Sequence, residues 1–95
     1  ESLSITVENI KNAINENTVG ITLVHALGFN AVNEELIKLA KDNDLFLIED
    51  CCESHGAKYN GRRVGSFGDV SNFSFYFGHH MTTIEGGMVC KFMII

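Results

Sequence analysis

Leu45-Phe46-Leu47-Ile48-Glu49-Asp50-Cys51-Cys52-Glu53 is the segment that decides the fold. An almost purely apolar run, Leu45 to Ile48, suits a parallel strand covered on both faces. It closes in acidic and thiol side chains. In open α/β sheets, ligands bind at the carboxyl ends of parallel strands. A carboxylate there, Asp50, can hold a metal, a ribose or a protonated ring nitrogen. The plainer alternative is that Asp50 caps the turn that follows it.

The flanking segments alternate in the way such a sheet requires. Ser4 with Glu8, then Val7, Ile10 and Ile14 at helical spacing, predict a capped amphipathic helix to about Asn15. Ile21 to Val24 reads as a short strand, and His25-Ala26-Leu27-Gly28 turns out of it. Asn33 caps a second helix through about Asp42, with Leu36, Ile37, Leu39 and Ala40 on its buried face. Tyr59 to Val64 holds the hairpin signal Asn60-Gly61. Phe73-Ser74-Phe75-Tyr76 is a further strand. The order predicts an α/β fold with a largely parallel sheet, all in one continuous domain.

Composition narrows the function classes. The chain has 95 residues, is 45% hydrophobic and 20% charged, and lacks proline and tryptophan. Its net charge of −5 argues against a nucleic-acid or anionic-membrane partner. No apolar run approaches the roughly 20 residues that span a bilayer, and no signal-peptide pattern opens the chain. Three cysteines, an odd number with Cys51 and Cys52 adjacent, predict free thiols in a reducing cytoplasm. The start at Glu1 and the apolar ending Lys91-Phe92-Met93-Ile94-Ile95 read as those of a fragment.

Candidate chemistry gathers around the last strand. FSFYFGHHMTTIEGG, residues 73–87, runs from that strand into His79 and His80, a Thr-Thr pair and an acid-Gly-Gly turn. Ser74 precedes His79 by five residues, and its hydroxyl near a strand end can hold a phosphate. Gly86-Gly87 lets backbone approach a ligand. The ordinary readings are a hydroxyl bonded to backbone and a simple turn. Cys51, Cys52 and His55 with His79 make a poor zinc set, because structural sites use spaced cysteine pairs. Buried filler beside a strand is the default for the two cysteines.

Taken together, IEDCCESHGAKYNGRRVGSFGDVSNFSFYFGHHMTTIEGGMV, residues 48–89, resembles the DegT/DnrJ/EryC1/StrS family of sugar aminotransferases. The resemblance runs from about Val7 to Cys90. It implies part of the large domain of a fold type I pyridoxal-phosphate enzyme, over residues 1–90, with 91–95 a divergent or truncated tail. Asp50 would pair with the cofactor's pyridine nitrogen. Glu53 matches a position, usually glutamine, that contacts the ring hydroxyl, and Ser74 matches a serine that binds the cofactor phosphate.

The family's Schiff-base lysine falls at His79, and imidazole cannot form that covalent link. This departure is similar to the nucleotide-sugar 3-dehydratases, in wording most of all to the subgroup acting on GDP-4-keto-6-deoxy-D-mannose toward colitose. The resemblance implies pyridoxal or pyridoxamine 5'-phosphate as cofactor, a nucleotide-sugar substrate, glutamate as amino donor and a homodimer of the full-length protein. His79 would act as base and then acid, a role that suits a side chain titrating near neutral pH. The cysteines do not form a four-cysteine cluster pattern, which favours the glutamate-dependent kind over an iron–sulfur kind. A sugar aminotransferase without its lysine, or an inactive truncated product, is the alternative. Prolines usual in the family are missing here.

Overall fold

The computed structural model describes residues 5–91, and they build a four-stranded sheet with two helices on one face. In chain order the elements are α1 (Val7–Ala13), β1 (Gly20–Val24), a 3₁₀ turn (Ala26–Gly28) and α2 (Glu34–Asp42). β2 (Phe46–Asp50), a small hairpin of β3 (Lys58–Tyr59) and β4 (Arg62–Arg63), β5 (Val70–Ser74) and β6 (Gly87–Lys91) follow. Strand order in the sheet is β1-β2-β5-β6. β1, β2 and β5 run parallel, and β6 returns antiparallel along β5. The mostly parallel α/β reading stands. No helix among the described residues is long and apolar enough to cross a membrane.

Local chemistry explains most of the boundaries. Asn33 caps α2 as its sequence predicts, its side-chain oxygen accepting the Leu36 amide at 2.9 Å. The cap predicted at Ser4 lies outside the described residues; α1 is capped by Thr6, whose hydroxyl accepts the Asn9 amide, and it stops at Ala13 rather than Asn15. Asn60 and Gly61 both take positive φ (48° and 77°), the two-residue turn that joins β3 to β4. The last parallel strand begins three residues earlier than its apolar run suggests. It ends at Ser74, whose hydroxyl takes the Tyr76 amide at 3.2 Å and turns the chain out. β6 was not foreseen; its apolar Met88-Val89 pair follows the Glu85-Gly86-Gly87 turn closely.

One sheet face is covered and the other is open. Ile21 and Leu23 of β1 and Leu47 of β2 pack against Ile10 of α1 and Leu36 and Ala40 of α2, with Ala31 and Val32 closing the core. Ile37 and Leu39, expected inside, are half-buried at its margin. β2 therefore alternates: Leu47 and Glu49 are buried, whereas Phe46 is 54% exposed. The expected covering of β2 on both faces is not met, because no described element lies over Phe46 and Ile48.

Glu49 is fully buried on the covered face and, among the described residues, is the most heavily bonded side chain. Oε2 accepts from the Gly65 amide at 2.6 Å and from His25 Nε2 at 3.0 Å. Oε1 accepts from the Phe67 and Gly68 amides, both at 2.6 Å. The Ala31 amide donates to His25 Nδ1 at 3.0 Å, which fixes Nε2 as the ring's donor. Burial by itself would raise the Glu49 pKa. The bonds from His25 and the three amides outweigh it and hold the carboxyl below its ordinary range. Two glycines let the loop come this close. A Cβ at Gly68 would meet the Leu47 carbonyl at 2.5 Å, and one at Gly65 would meet the Phe73 ring at 2.6 Å. Asp69 completes the seam, its carboxylate accepting the Leu47 amide at 2.8 Å.

Replacing Glu49 by Gln leaves one acceptor and one NH₂ facing four donors. We expect a loss of about 3–5 kcal/mol in urea unfolding of the chain, a large share of the ~5–15 kcal/mol typical of a domain. Because the folded pKa is depressed, the stabilisation is complete above about pH 4.3, the unfolded value, and is lost as pH falls through the folded pKa. The same titration on Glu49→Gln should lack that component of acid loss; an unchanged acid profile would sink the assignment.

Candidate functional site

Alternation along the strands separates the two neighbouring acids. Glu49 faces the helices, so Asp50 faces the open side of the sheet. Asp50 pairs in register with Asn72 of β5, and Ser74 lies two residues further on, so Asp50, Asn72 and Ser74 share the open face at the carboxyl edge. Asp50 Oδ1 accepts the Cys52 amide at 3.1 Å and the Asn72 side-chain amide at 3.0 Å. The capping alternative for Asp50 is thus real. Both bonds use Oδ1, and Oδ2 has no described partner. Partial burial pushes the Asp50 pKa up, but the Cys52 and Asn72 bonds and the nearby His25 bring it below the usual carboxylate range. Asp50 is an anion at neutral pH with one oxygen unspent.

A cleft of about 310 Å³ opens beside this edge, lined by Leu27, Glu53, Gly78, His79 and His80. The structure brings Glu53 and both histidines together there. Asp50 and Ser74 are not among the lining residues. His79 is set by a turn in which its amide donates to the Tyr76 carbonyl at 3.0 Å, and the Tyr76 ring meets its imidazole edge-on at 5.9 Å. His79 Nδ1 is buried without a hydrogen-bond partner among the described residues. Glu53 Oε2 accepts the Leu27 amide at 2.8 Å. Leu27 itself has φ 53° and ψ 24°, left-handed backbone that costs a non-glycine residue roughly 1–2 kcal/mol. Nothing in the sequence marked Leu27, since its conformation depends on a carboxylate 26 residues away.

The zinc alternative does not assemble. Cys51, Cys52, His55 and His79 form no ligand group. The described residues that do approach one another are His25, Glu49 and Cys51, within 4.8 Å. There the His25 and Glu49 ligand atoms are already bonded, and burial together with the Glu49 charge pushes the Cys51 thiol up to about 12, so no thiolate is available. Cys51 is fully buried and behaves as filler, as expected. His55 sits among rings, its centroid 5.9 Å from Phe73 and 6.0 Å from both Phe75 and His80. Neither of its nitrogens has a described partner.

The model of the DegT/DnrJ/EryC1/StrS aminotransferase family matches residues 1–91. GDP-perosamine synthase of Escherichia coli O157:H7 is 45% identical over 89 residues, which make up 94% of this chain and 24% of that protein. The crystal structure of an aminotransferase from Psychrobacter cryohalolentis superposes with a TM-score of 0.88 at 42% identity, covering 92% of this chain and 22% of that one. A GDP-4-keto-6-deoxymannose-3-dehydratase structure with a trapped PLP-glutamate geminal diamine superposes with a TM-score of 0.80 at 38% identity, again over 92% and 22%. The chain therefore spans about a quarter of the length of the proteins it matches, and its fold is that of the pyridoxal-phosphate-dependent aminotransferases and dehydratases.

Asp50 carries both structural bonds on one oxygen, so its two substitutions should separate. Asp50→Ala strands the Asn72 and Cys52 donors and is expected to cost about 1–3 kcal/mol in urea unfolding. Asp50→Asn keeps an acceptor and should cost less than half as much. Equal losses would show that the charge, not the turn, carries the stabilisation.

Proposed function

This chain belongs to the DegT/DnrJ/EryC1/StrS aminotransferase family, and from that premise we propose that it is the cofactor-site segment of a nucleotide-sugar 3-dehydratase. The full protein would remove the C3 hydroxyl of a GDP-4-keto-6-deoxy sugar. One observation carries this reading. His79, an imidazole where the family pattern places its lysine, lines the cleft with Nδ1 buried and unpartnered among the described residues. Residues 1–90 form part of the cofactor-binding large domain in this reading, although β6 continues through Lys91; residues 92–95 lie outside the described residues.

The side chains fit a pyridoxal or pyridoxamine phosphate. His79 lines the cleft and carries a buried Nδ1 without a described partner, and Asp50 is an anion with Oδ2 free of described partners at the sheet edge. When bound, the cofactor supplies an electron sink that stabilises negative charge developing beside its ring. Asp50 would hold the ring nitrogen in its protonated form. Ser74, at the carboxyl end of β5, would hold the phosphate. Glu53 would meet the ring hydroxyl. His79 would take up a proton in the cleft and deliver it to the departing C3 hydroxyl, the two-way transfer imidazole performs near neutral pH. Glutamate as amino donor is supported by the adduct held in the dehydratase structure. We also propose a homodimer of the full-length protein and a cytoplasmic setting, in keeping with the free thiols Cys51, Cys52 and Cys90.

A sugar aminotransferase is the second reading, favoured by the 45% identity to a GDP-perosamine synthase. An inactive product is the third. A family-length protein that carries this segment separates them. With GDP-4-keto-6-deoxy-D-mannose, cofactor and glutamate, the product should lack the C3 oxygen and contain no new amine. Borohydride should trap no cofactor on the unaltered protein and should trap it on His79→Lys. His79→Asn should slow turnover about 10²–10⁴-fold. An aminated sugar, or cofactor trapped on the unaltered protein, would overturn the dehydratase assignment.

A further inference from the structure

The Leu27–Glu53 contact has chemistry that the cofactor assignment leaves unused. Leu27 and Gly28 follow each other in left-handed backbone, with φ of 53° and 83°. Glycine adopts this freely, but leucine does so only where its surroundings impose it, and such residues gather at functional sites. The described contact that imposes it is the bond from the Leu27 amide to Glu53 Oε2 at 2.8 Å. Both residues line the cleft with His79, and the Leu27 side chain is 69% exposed at its rim. A carboxylate has two equivalent acceptor oxygens. Oε2 is spent on the backbone, and Oε1 has no described partner.

We propose that Glu53 is a latch, a positioning residue that holds the Leu27 turn against the cleft through Oε2 while offering Oε1 to a hydrogen-bond donor on the ligand. The inference rests on the cleft being the cofactor site, and it adds two consequences. The ligand atom facing Glu53 must carry a proton, as a ring hydroxyl or an amine does. A glutamine spending its carbonyl oxygen on Leu27 would instead present NH₂ and select an acceptor. Ligand binding and the Leu27 turn are therefore coupled: a donor bound at Oε1 fixes the carboxylate rotamer and with it the turn.

Amide hydrogen exchange in the full chain tests the latch without any turnover. Leu27 should exchange about tenfold faster in Glu53→Ala than in the unaltered chain, and Glu53→Gln, which keeps an acceptor, should restore most of the protection. Protection at Leu23, buried in the core, reports whether the fold is intact. If Glu53→Ala disturbs it, Glu53→Met, similar in length and without the oxygen acceptors, gives the same comparison. Unchanged Leu27 exchange in an intact Glu53→Ala or Glu53→Met chain overturns the latch.

Pyridoxal phosphate added to a family-length protein carrying the segment should slow Leu27 exchange further, and should not do so in Glu53→Ala. Equal slowing in both would overturn the coupling. Absence of pyridoxal-phosphate binding, read from its absorbance, would count against both the cofactor site and the coupling. The exchange of Leu27 without ligand would still decide the latch.

Discussion

A single buried carboxylate holds this fold in register. Glu49 draws four donors from two places in the sequence: the His25 ring just past β1, and the Gly65, Phe67 and Gly68 amides of the loop before β5. Three of those donors are backbone N–H groups that a loop packed against a sheet would otherwise leave unpaired. A buried charge is tolerable only when it is this fully bonded. The constraint then spreads outward. Gly65 and Gly68 must lack side chains for the loop to reach Glu49, and Arg62 ties the hairpin to the same loop by donating to Ser66 Oγ at 2.8 Å. Asp69 follows directly and joins β2 by both its amide and its carboxylate. β5 can only start where that seam ends.

This arrangement lets adjacent acids perform opposite tasks. The two-residue period of a strand sends Glu49 into the packed face and Asp50 to the open one. Glu49 is saturated, so it organises structure and has no bonding capacity left for a ligand. Asp50 is bonded on one oxygen only, and its ionised form is favoured by donors rather than by a counter-charge alone. The register with Asn72 carries that geometry into β5, and two residues later the same face presents Ser74. The sheet edge thus positions Asp50 and Ser74, while His79 and Glu53 are borne on the turns that leave it.

Signals contained within a few residues were legible in the sequence. Asn33 three residues before Leu36, the Asn60-Gly61 turn, and the apolar runs of β1 and β2 each act through local backbone geometry. Boundaries differ by one to three residues; β5 starts directly after Asp69, which bonds to β2, and ends at Ser74, whose hydroxyl takes the Tyr76 amide. The Glu49–His25 bond was not legible, because its partners are 24 residues apart and a Glu-Asp pair ending a strand does not say which acid turns inward. The strand alternation would have said so, had Leu47 been fixed first as the core residue. Covering of β2 on both faces was over-read from its apolarity, since the described segment provides helices for one face only. For the site, residue identity singles out Glu53, Ser74 and His79 in the sequence, and Glu53 and His79 line the cleft. Leu27 was not, because leucine shows no preference for the backbone it adopts here.

Imidazole in place of the amine that the family pattern carries at this position would change what the cleft can do. A lysine can attach covalently to a carbonyl carbon and also shuttle protons; an imidazole can only do the second. His79 lines the cleft, and its Nδ1 is buried without a partner among the described residues. Glu53 adds the complementary restraint, since an acceptor fixed to the Leu27 backbone cannot swing aside to meet a different ligand polarity. Under the proposed assignment the two residues would hold a cofactor by non-covalent contacts and move protons beside it. In the proposed reading such a site would favour elimination over amino transfer, because release of the cofactor's amine would require the covalent exchange that His79 cannot make.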